Sequence, residues 1–269
     1  MTAQMSTQHV QAFAVSARSL IGLVRSGNED AALVHPQLIA VADGMGGHAG
    51  GEVASSIAIK MLAELSNVVS KESIDSDSIE DLLLNSLHDI NSEIGRIAGE
   101  DSDLLGMGTT LSALLLYRGL SGDQVALLHV GDSRCYRLRG NSLSQLSHDH
   151  TVLQELLDQG VVTPEEALEH PQRSHLTQAL MGEKSLIPVL IVHDVDKGDR
   201  FLLCSDGLSG VLTEKEIKTG MKIGNRDDAL THLTDAAYVA GAPDNVTVVL
   251  ADISEDGLVF EKILLGAAQ

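Results

Sequence analysis

Residues 38–52 constrain this chain more than any other stretch. Leu38-Ile39-Ala40-Val41-Ala42 is an uninterrupted apolar run that ends on Asp43; a glycine-rich turn follows, and a helical pattern begins directly after it. A short strand without polar alternation is one covered on both faces, so the fold must place layers above and below it. The same device recurs along the chain. Asp132 follows the run 125–130 and Gly131, Asp206 follows the run 201–205, and Asp244 precedes the run 245–250. Taken singly, an aspartate beside Gly or Asn is ordinary turn chemistry. Taken together, acids at the ends of covered strands crowd negative charge at one sheet edge, where each raises the pKa of the next. Divalent cations such as Mg²⁺ or Mn²⁺ remove that conflict, because they take carboxylate, carbonyl and water oxygens.

The rest of the chain supplies the covering layers. Residues 13–17 read as a first strand, and the runs 31–35 and 38–42, separated by Pro36-Gln37, read as a hairpin. Ala54, Ile57, Ala58, Met61, Leu62 and Leu65 fall on one face of a helix, and Ile79, Leu83, Leu87, Ile90, Ile94 and Ile97 mark a second. Residues 73–78 between them are a polar linker. Runs at 109–117, 124–130, 135–139 and 142–146, split by Gly, Asp and Asn, predict an antiparallel meander. Residues 148–171 read as a charged, helical peripheral lobe in which Thr163-Pro164-Glu165-Glu166 is a helix start. Strands are expected at 186–192, 200–205 and 245–251, with helices at 213–221 and 227–240; Thr213 and Glu216 occupy capping-box positions. The apolar tail at 259–265 has no assigned role.

Composition narrows the function. The chain has 269 residues, 43% of them hydrophobic, which suffices for one substantial core; with only 2% aromatics that core must be aliphatic. A formal net charge of −20 excludes recognition of a nucleic-acid backbone and docking on anionic lipid. No apolar run is long enough to span a bilayer, and residues 1–11 lack the pattern of a signal peptide, reading instead as a loose polar arm. Cys135 and Cys204 each sit in an apolar run without a C-x-x-C partner, so they read as buried thiols in a reducing, cytoplasmic compartment. The glycine turn lacks the Gly-Lys-Ser/Thr ending of a P-loop and is not a G-x-G-x-x-G in a βαβ unit. His148-Asp149-His150 is the nearest approach to a zinc site, against a reading as a solvated helix start.

Six pieces, in order, carry a resemblance to a known family: Gly22-Leu23-Val24-Arg25 with Asn28-Glu29-Asp30; Val41-Ala42-Asp43-Gly44-Met45-Gly46-Gly47-His48; Gly108-Thr109-Thr110; Val130-Gly131-Asp132-Ser133-Arg134; Leu203-Cys204-Ser205-Asp206-Gly207-Leu208; and Pro243-Asp244-Asn245-Val246-Thr247. With them the chain resembles the metal-dependent protein phosphatase (PPM, type 2C) family in its compact bacterial form. The resemblance implies an α+β fold: a four-layer α-β-β-α sandwich with two central antiparallel sheets and a small flap lobe at about 148–180. One domain is expected over 12–253, with residues 254–269 a C-terminal tail.

The resemblance also implies roles. Asp43 bridges two metals, and the Gly44 carbonyl binds one of them. Asp206 and Asp244 ligate the other, while Asp132 with Asp206 holds a weaker third. Glu29 and Asp30 hold metal-bound waters, and Arg25 binds the substrate phosphate with its planar fork. The implied activity is that of a protein serine/threonine phosphatase, hydrolysing phosphomonoesters by attack of a metal-bridging hydroxide. Its implied partners are phosphoproteins made by a Ser/Thr kinase, and the chain is expected to act as a monomer. Where many eukaryotic members have a histidine directly after the bridging Asp-Gly, this chain has Met45; His48, three residues on, is the candidate proton donor. The alternative from another class is a non-catalytic relative that binds a phosphoprotein as a sensor or scaffold. Such a relative loses acids, and here the acids are all present.

Overall fold

The computed structural model describes residues 11–46, 49–69, 76–119, 122–167, 170–172, 174–254 and 260–269. The chain opens with strands β1 (Ala12–Leu20), β2 (Asp30–Val34) and β3 (Leu38–Met45), then helices α1 (Gly50–Val69) and α2 (Ser76–Glu100). Strands β4 (Gly108–Thr109), β5 (Leu111–Arg118), β6 (Asp123–Val130), β7 (Arg134–Arg139) and β8 (Ser142–Gln145) follow. Two short helices, α3 (Val152–Asp158) and α4 (Pro164–Ala167), lead to β9 (Val189–Asp194) and β10 (Arg200–Cys204). Helices α5 (Asp206–Ser209), α6 (Glu214–Met221) and α7 (Arg226–Val239) precede β11 (Val246–Ser254) and β12 (Ile263–Gly266).

The strands make two antiparallel sheets. One has the order β1-β11-β10-β7-β8; the other runs β12-β2-β3-β5-β6-β9, with β4 added on β3. The unalternating apolar runs explain why both are covered twice. Along β3, Leu38, Ala40 and Ala42 pack with α1 and α2, whereas Ile39 and Val41 face the β1-β11-β10-β7-β8 sheet. Along β10, Leu202 and Cys204 pack under α6 and α7, whereas Phe201 and Leu203 face the sheet that holds β3. The inter-sheet layer is almost wholly aliphatic; among the described residues its ring pair is Phe13 edge-on to Phe201 at 6.2 Å between centroids. The result is a four-layer α-β-β-α sandwich. Cys135 belongs to the inter-sheet layer and Cys204 to the helix-covered face, so the two thiols lie on opposite sides of one sheet and are both free.

Four sequence expectations need correction. The four-strand meander is two hairpins in different sheets: β5 and β6 pair in the larger, β7 and β8 in the smaller, and the chain crosses between them at 131–133. The lobe after residue 148 is less helical than its charge pattern suggests, because 148–150 forms no helix and Thr151 is extended and bridges to Leu176. Within the expected tail, β12 pairs antiparallel with β2 and extends the larger sheet. On α1, Ile57 and Met61 are only partly buried while Ile59 is fully buried, so the helix is rolled slightly from the expected face.

Candidate metal centre

Each aspartate is aimed by its own backbone. The Asp43 amide donates to Thr110 Oγ1 at 3.0 Å, and its carbonyl accepts from the Thr110 amide and Thr109 Oγ1, both at 2.9 Å. The next amide, of Gly44, donates to the Glu29 carbonyl at 3.1 Å. A Cβ on Gly44 would lie 2.1 Å from the Gly51 carbonyl oxygen, so only glycine lets the start of α1 close over the end of β3. Asp132 sits on the crossing between the sheets. Gly131 before it has φ of 104° and is bonded twice to His150, from the His150 amide (2.8 Å) and to His150 Nδ1 (3.1 Å). Ser133 after it shares a 2.7 Å bond with Thr110 Oγ1, tying the crossing to the strand end that holds Asp43. Asp206 opens α5 immediately after β10. Asp244 stands before β11, where a Cβ on Gly22 would come within 1.9 Å of its carbonyl oxygen.

The carboxylates face a common space. All four are partly buried, and they feel one another. Burial pushes Asp43 well above the usual carboxylate range, and Asp30, Asp206, Asp132 and Asp244 add to it. Burial raises Asp132 to about 7, with Asp206 and Asp149 contributing and the Arg134 cation opposing. Asp206 is raised by burial and then by Asp244, against a side-chain hydrogen bond with Asp43. Asp30 is fully buried and pushed up to about 7 by that burial, although Thr247 and Ser205 bond to it and favour the charged form. Ser205 Oγ donates to Asp30 Oδ2 at 2.7 Å; Asp30 Oδ1 is buried with no protein partner.

Arg25 closes one side. Its Nη2 donates to Asp244 Oδ2 at 2.5 Å, and that bond is the main cause of its raised pKa. The Arg25 side chain is about half exposed (48%), so an incoming anion can reach it. Glu29 lies against Gly51 at the start of α1; burial raises its pKa and Arg25 lowers it. The structure thus brings together Arg25, Glu29, Asp30, Asp43, Gly44, Asp132, Asp206 and Asp244. His48 lies outside the described residues.

Reading the sequence missed the residues that hold these in place. Asn245 is the clearest. Its amide donates to Asp244 Oδ1, its Nδ2 to the Gly27 carbonyl, and its Oδ1 accepts from the Glu29 amide, each at 2.8 Å. Thr110, Ser133 and Ser205 act likewise; they stand in the family-like pieces of the sequence, but nothing there marked them as holding the acids. His148-Asp149-His150 is neither a zinc site nor a solvated helix start. Asp149 and His150 are buried: Asp149 grips Arg134 through both oxygens at 2.6–3.0 Å, and the cap of α3 is Thr151. A cleft of about 490 Å³ runs from Asp132, Asp206 and Asp244 between Leu153 and Leu157 of α3 and Val211 and Leu212 beyond α5.

The donor set fits hard divalent cations. It is all oxygen, it is crowded with mutually repelling acids, and it includes an unpartnered buried oxygen on Asp30. Among the described residues no three His, Cys, Asp or Glu side chains stand close enough to cage an ion as they are.

Comparison with known proteins points one way. The protein phosphatase 2C family model matches residues 26–245. The chain is 43% identical over 256 residues to the serine/threonine protein phosphatase PstP of Mycobacterium tuberculosis, covering 94% of this chain but 47% of that protein. It therefore spans about half the length of that relative. It is 35% identical over 238 residues to the serine/threonine phosphatase stp of Listeria welshimeri, covering 86% of this chain and 92% of that one. The crystal structure of the M. tuberculosis phosphatase PstP/Ppp superposes with a TM-score of 0.84 at 42% identity, covering 90% of this chain and 99% of the other. A structure of the PstP catalytic domain in complex with two manganese ions gives a TM-score of 0.81 at 40% identity, covering 91% and 99%.

Proposed function

Because the chain belongs to the protein phosphatase 2C family, we propose that it is a metal-dependent protein serine/threonine phosphatase acting on phosphoserine and phosphothreonine. One observation carries this reading: Asp43, Asp132, Asp206 and Asp244, from distant parts of the chain, meet beside a half-exposed arginine. Asp43, the Gly44 carbonyl, Asp206 and Asp244 would hold two divalent cations, Mn²⁺ or Mg²⁺, and Asp132 with Asp206 a weaker third. Bound there, the cations supply Lewis acidity and lower the pKa of water into the neutral range.

The chain's own residues do the rest. Asp30 and Glu29 accept hydrogen bonds from water at the centre, Asp30 through its otherwise unpartnered Oδ1. Arg25, held here by Asp244, would be free to offer two N–H groups to the phosphate if that carboxylate served as a metal ligand. That clamp fixes the ester bond for in-line displacement. Asn245 keeps Asp244 and the Glu29 backbone in register as this exchange occurs.

The natural substrates are then phosphoproteins made by a Ser/Thr kinase, met by a monomer in the cytoplasm; the two free buried thiols suit that compartment. A scaffold that binds without turnover has no observation in its favour, since the carboxylate set is complete. The test is phosphate release from a phosphothreonine peptide with Mn²⁺, Mg²⁺ or chelator. Asp43→Asn and Asp206→Asn should each remove the metal-dependent rate while the circular dichroism spectrum is kept. Near wild-type turnover by both variants would defeat the assignment.

A further inference from the structure

A strip of apolar side chains borders the centre, uncovered among the described residues. Ile21 (48% exposed), Leu23 (64%) and Val24 (75%) lie in the segment that leads to Arg25. The backbone of this segment is fixed. The Tyr238 hydroxyl donates to the Ile21 carbonyl, the Leu23 amide donates to the Ala242 carbonyl at 2.8 Å, and Gly22 packs directly on the Asp244 carbonyl. Holding three branched side chains toward water on an ordered backbone is unfavourable unless something covers them.

We infer that Leu23 and Val24 select substrates with an apolar side chain next to the phosphorylated residue. The inference rests on Arg25 being the phosphate clamp, as proposed above. Consecutive Cα atoms are about 3.8 Å apart, so Val24 and Leu23 stand one and two residues from the clamp. Gly22 packs on the Asp244 carbonyl and Arg25 bonds the Asp244 carboxylate, so the strip between them lies at the rim of the centre, where a residue flanking a held phosphate would pass. The strip Ile21-Gly22-Leu23-Val24 carries no charge in a chain of net charge −20, so a neutral side chain meets no repulsion there.

The experiment compares two phosphothreonine peptides of equal length and charge, one with leucine and one with serine on each side of the phosphothreonine. An aryl phosphate without flanking residues is the third substrate. Wild-type protein should favour the leucine peptide in kcat/KM by on the order of threefold to tenfold, the low end of what an apolar contact gives because this one is open to water. The Leu23→Ser/Val24→Ser double variant should bring that ratio close to one and leave aryl phosphate turnover unchanged. Both positions are exposed, so the variant should fold. Equal kcat/KM on the two peptides by wild type, or a preference that survives in the variant, overturns the inference while leaving the phosphatase reading intact. Loss of turnover on all three substrates in wild type with Mn²⁺ fails that reading instead. Sedimentation of wild type as a dimer that the double variant dissociates would assign the strip to a second copy, and overturns it too.

Discussion

Arg25 and Asp244 make an exchangeable pair. Their bond is short at 2.5 Å, yet both side chains are partly exposed, at 48% and 31%, so its net contribution to stability is small. Arg25→Ala should therefore leave the melting temperature almost unchanged and raise KM for a phosphopeptide about tenfold, as loss of a charge-assisted phosphate contact implies; steady-state kinetics check this. The glycines behave in the opposite way. A Cβ on Gly207 would lie 1.9 Å from the Asn245 carbonyl oxygen, which is backbone and cannot swing aside. Gly207→Ala should cost at least about 1–3 kcal/mol, read as a lower urea midpoint, and should cut activity because Asp206 and Asp244 flank the contact. At this scale much was legible. Each aspartate is marked by its place beside an apolar run. Asn245 was not, because its partners Gly27 and Glu29 are more than two hundred residues away and belong to a loop whose course no local pattern sets.

Helices whose ends are capped locally were readable from the chain; segments whose polar groups are used by distant partners were not. Thr213 and Glu216 show the first case. The Glu216 amide donates to Thr213 Oγ1, and the Glu216 carboxylate accepts from the Thr213 amide, forming the expected capping box on α6. Thr213→Ala should destabilise by about 1 kcal/mol with unchanged turnover, measured by urea denaturation alongside an activity assay. Residues 148–151 show the second case. Their charge and spacing suggest a helix, but His148 gives its carbonyl to His129, Asp149 holds Arg134, and His150 is bonded to Gly131. The crossing at 131–133 was hidden for a related reason. A hairpin turn and a change of sheet look alike in sequence, and the difference lies in the bonds from His150 and Thr110 that pull the chain across. These bonds give the lobe a firm start next to Asp132. Its far end is equally firm, with Leu180 and Thr109 bonded in both directions and Asn91 of α2 accepting from the Met181 and Gly182 amides.

For the molecule as a whole, the acids at the centre set how stability depends on pH and metal. Asp30 and Asp132 are each raised to about 7 by burial, against about 3.9 for aspartate in an unfolded chain. Between those values the folded state binds the extra protons. Their stabilisation is thus complete below the unfolded pKa and is lost as pH rises through about 7. In chelator the melting temperature should fall between pH 5.5 and pH 8. Mn²⁺ should restore it, by more at pH 8 than at pH 5.5, because the cation competes with protons for the same oxygens. At a hundredfold excess over its dissociation constant the gain is about 2.7 kcal/mol; calorimetry across the range checks both signs, and a flat or rising curve in chelator would contradict them. The two-sheet architecture itself was only partly foreseeable: covered strands demand four layers, but nothing local says which strand joins which sheet. That division has a mechanical outcome. Asp43 is rooted in one sheet, and Asp206 and Asp244 in the other. An ion held by both, as proposed, would be a rivet through two plates, so any slip of one plate along the other would loosen the catalyst before it unfolded the protein.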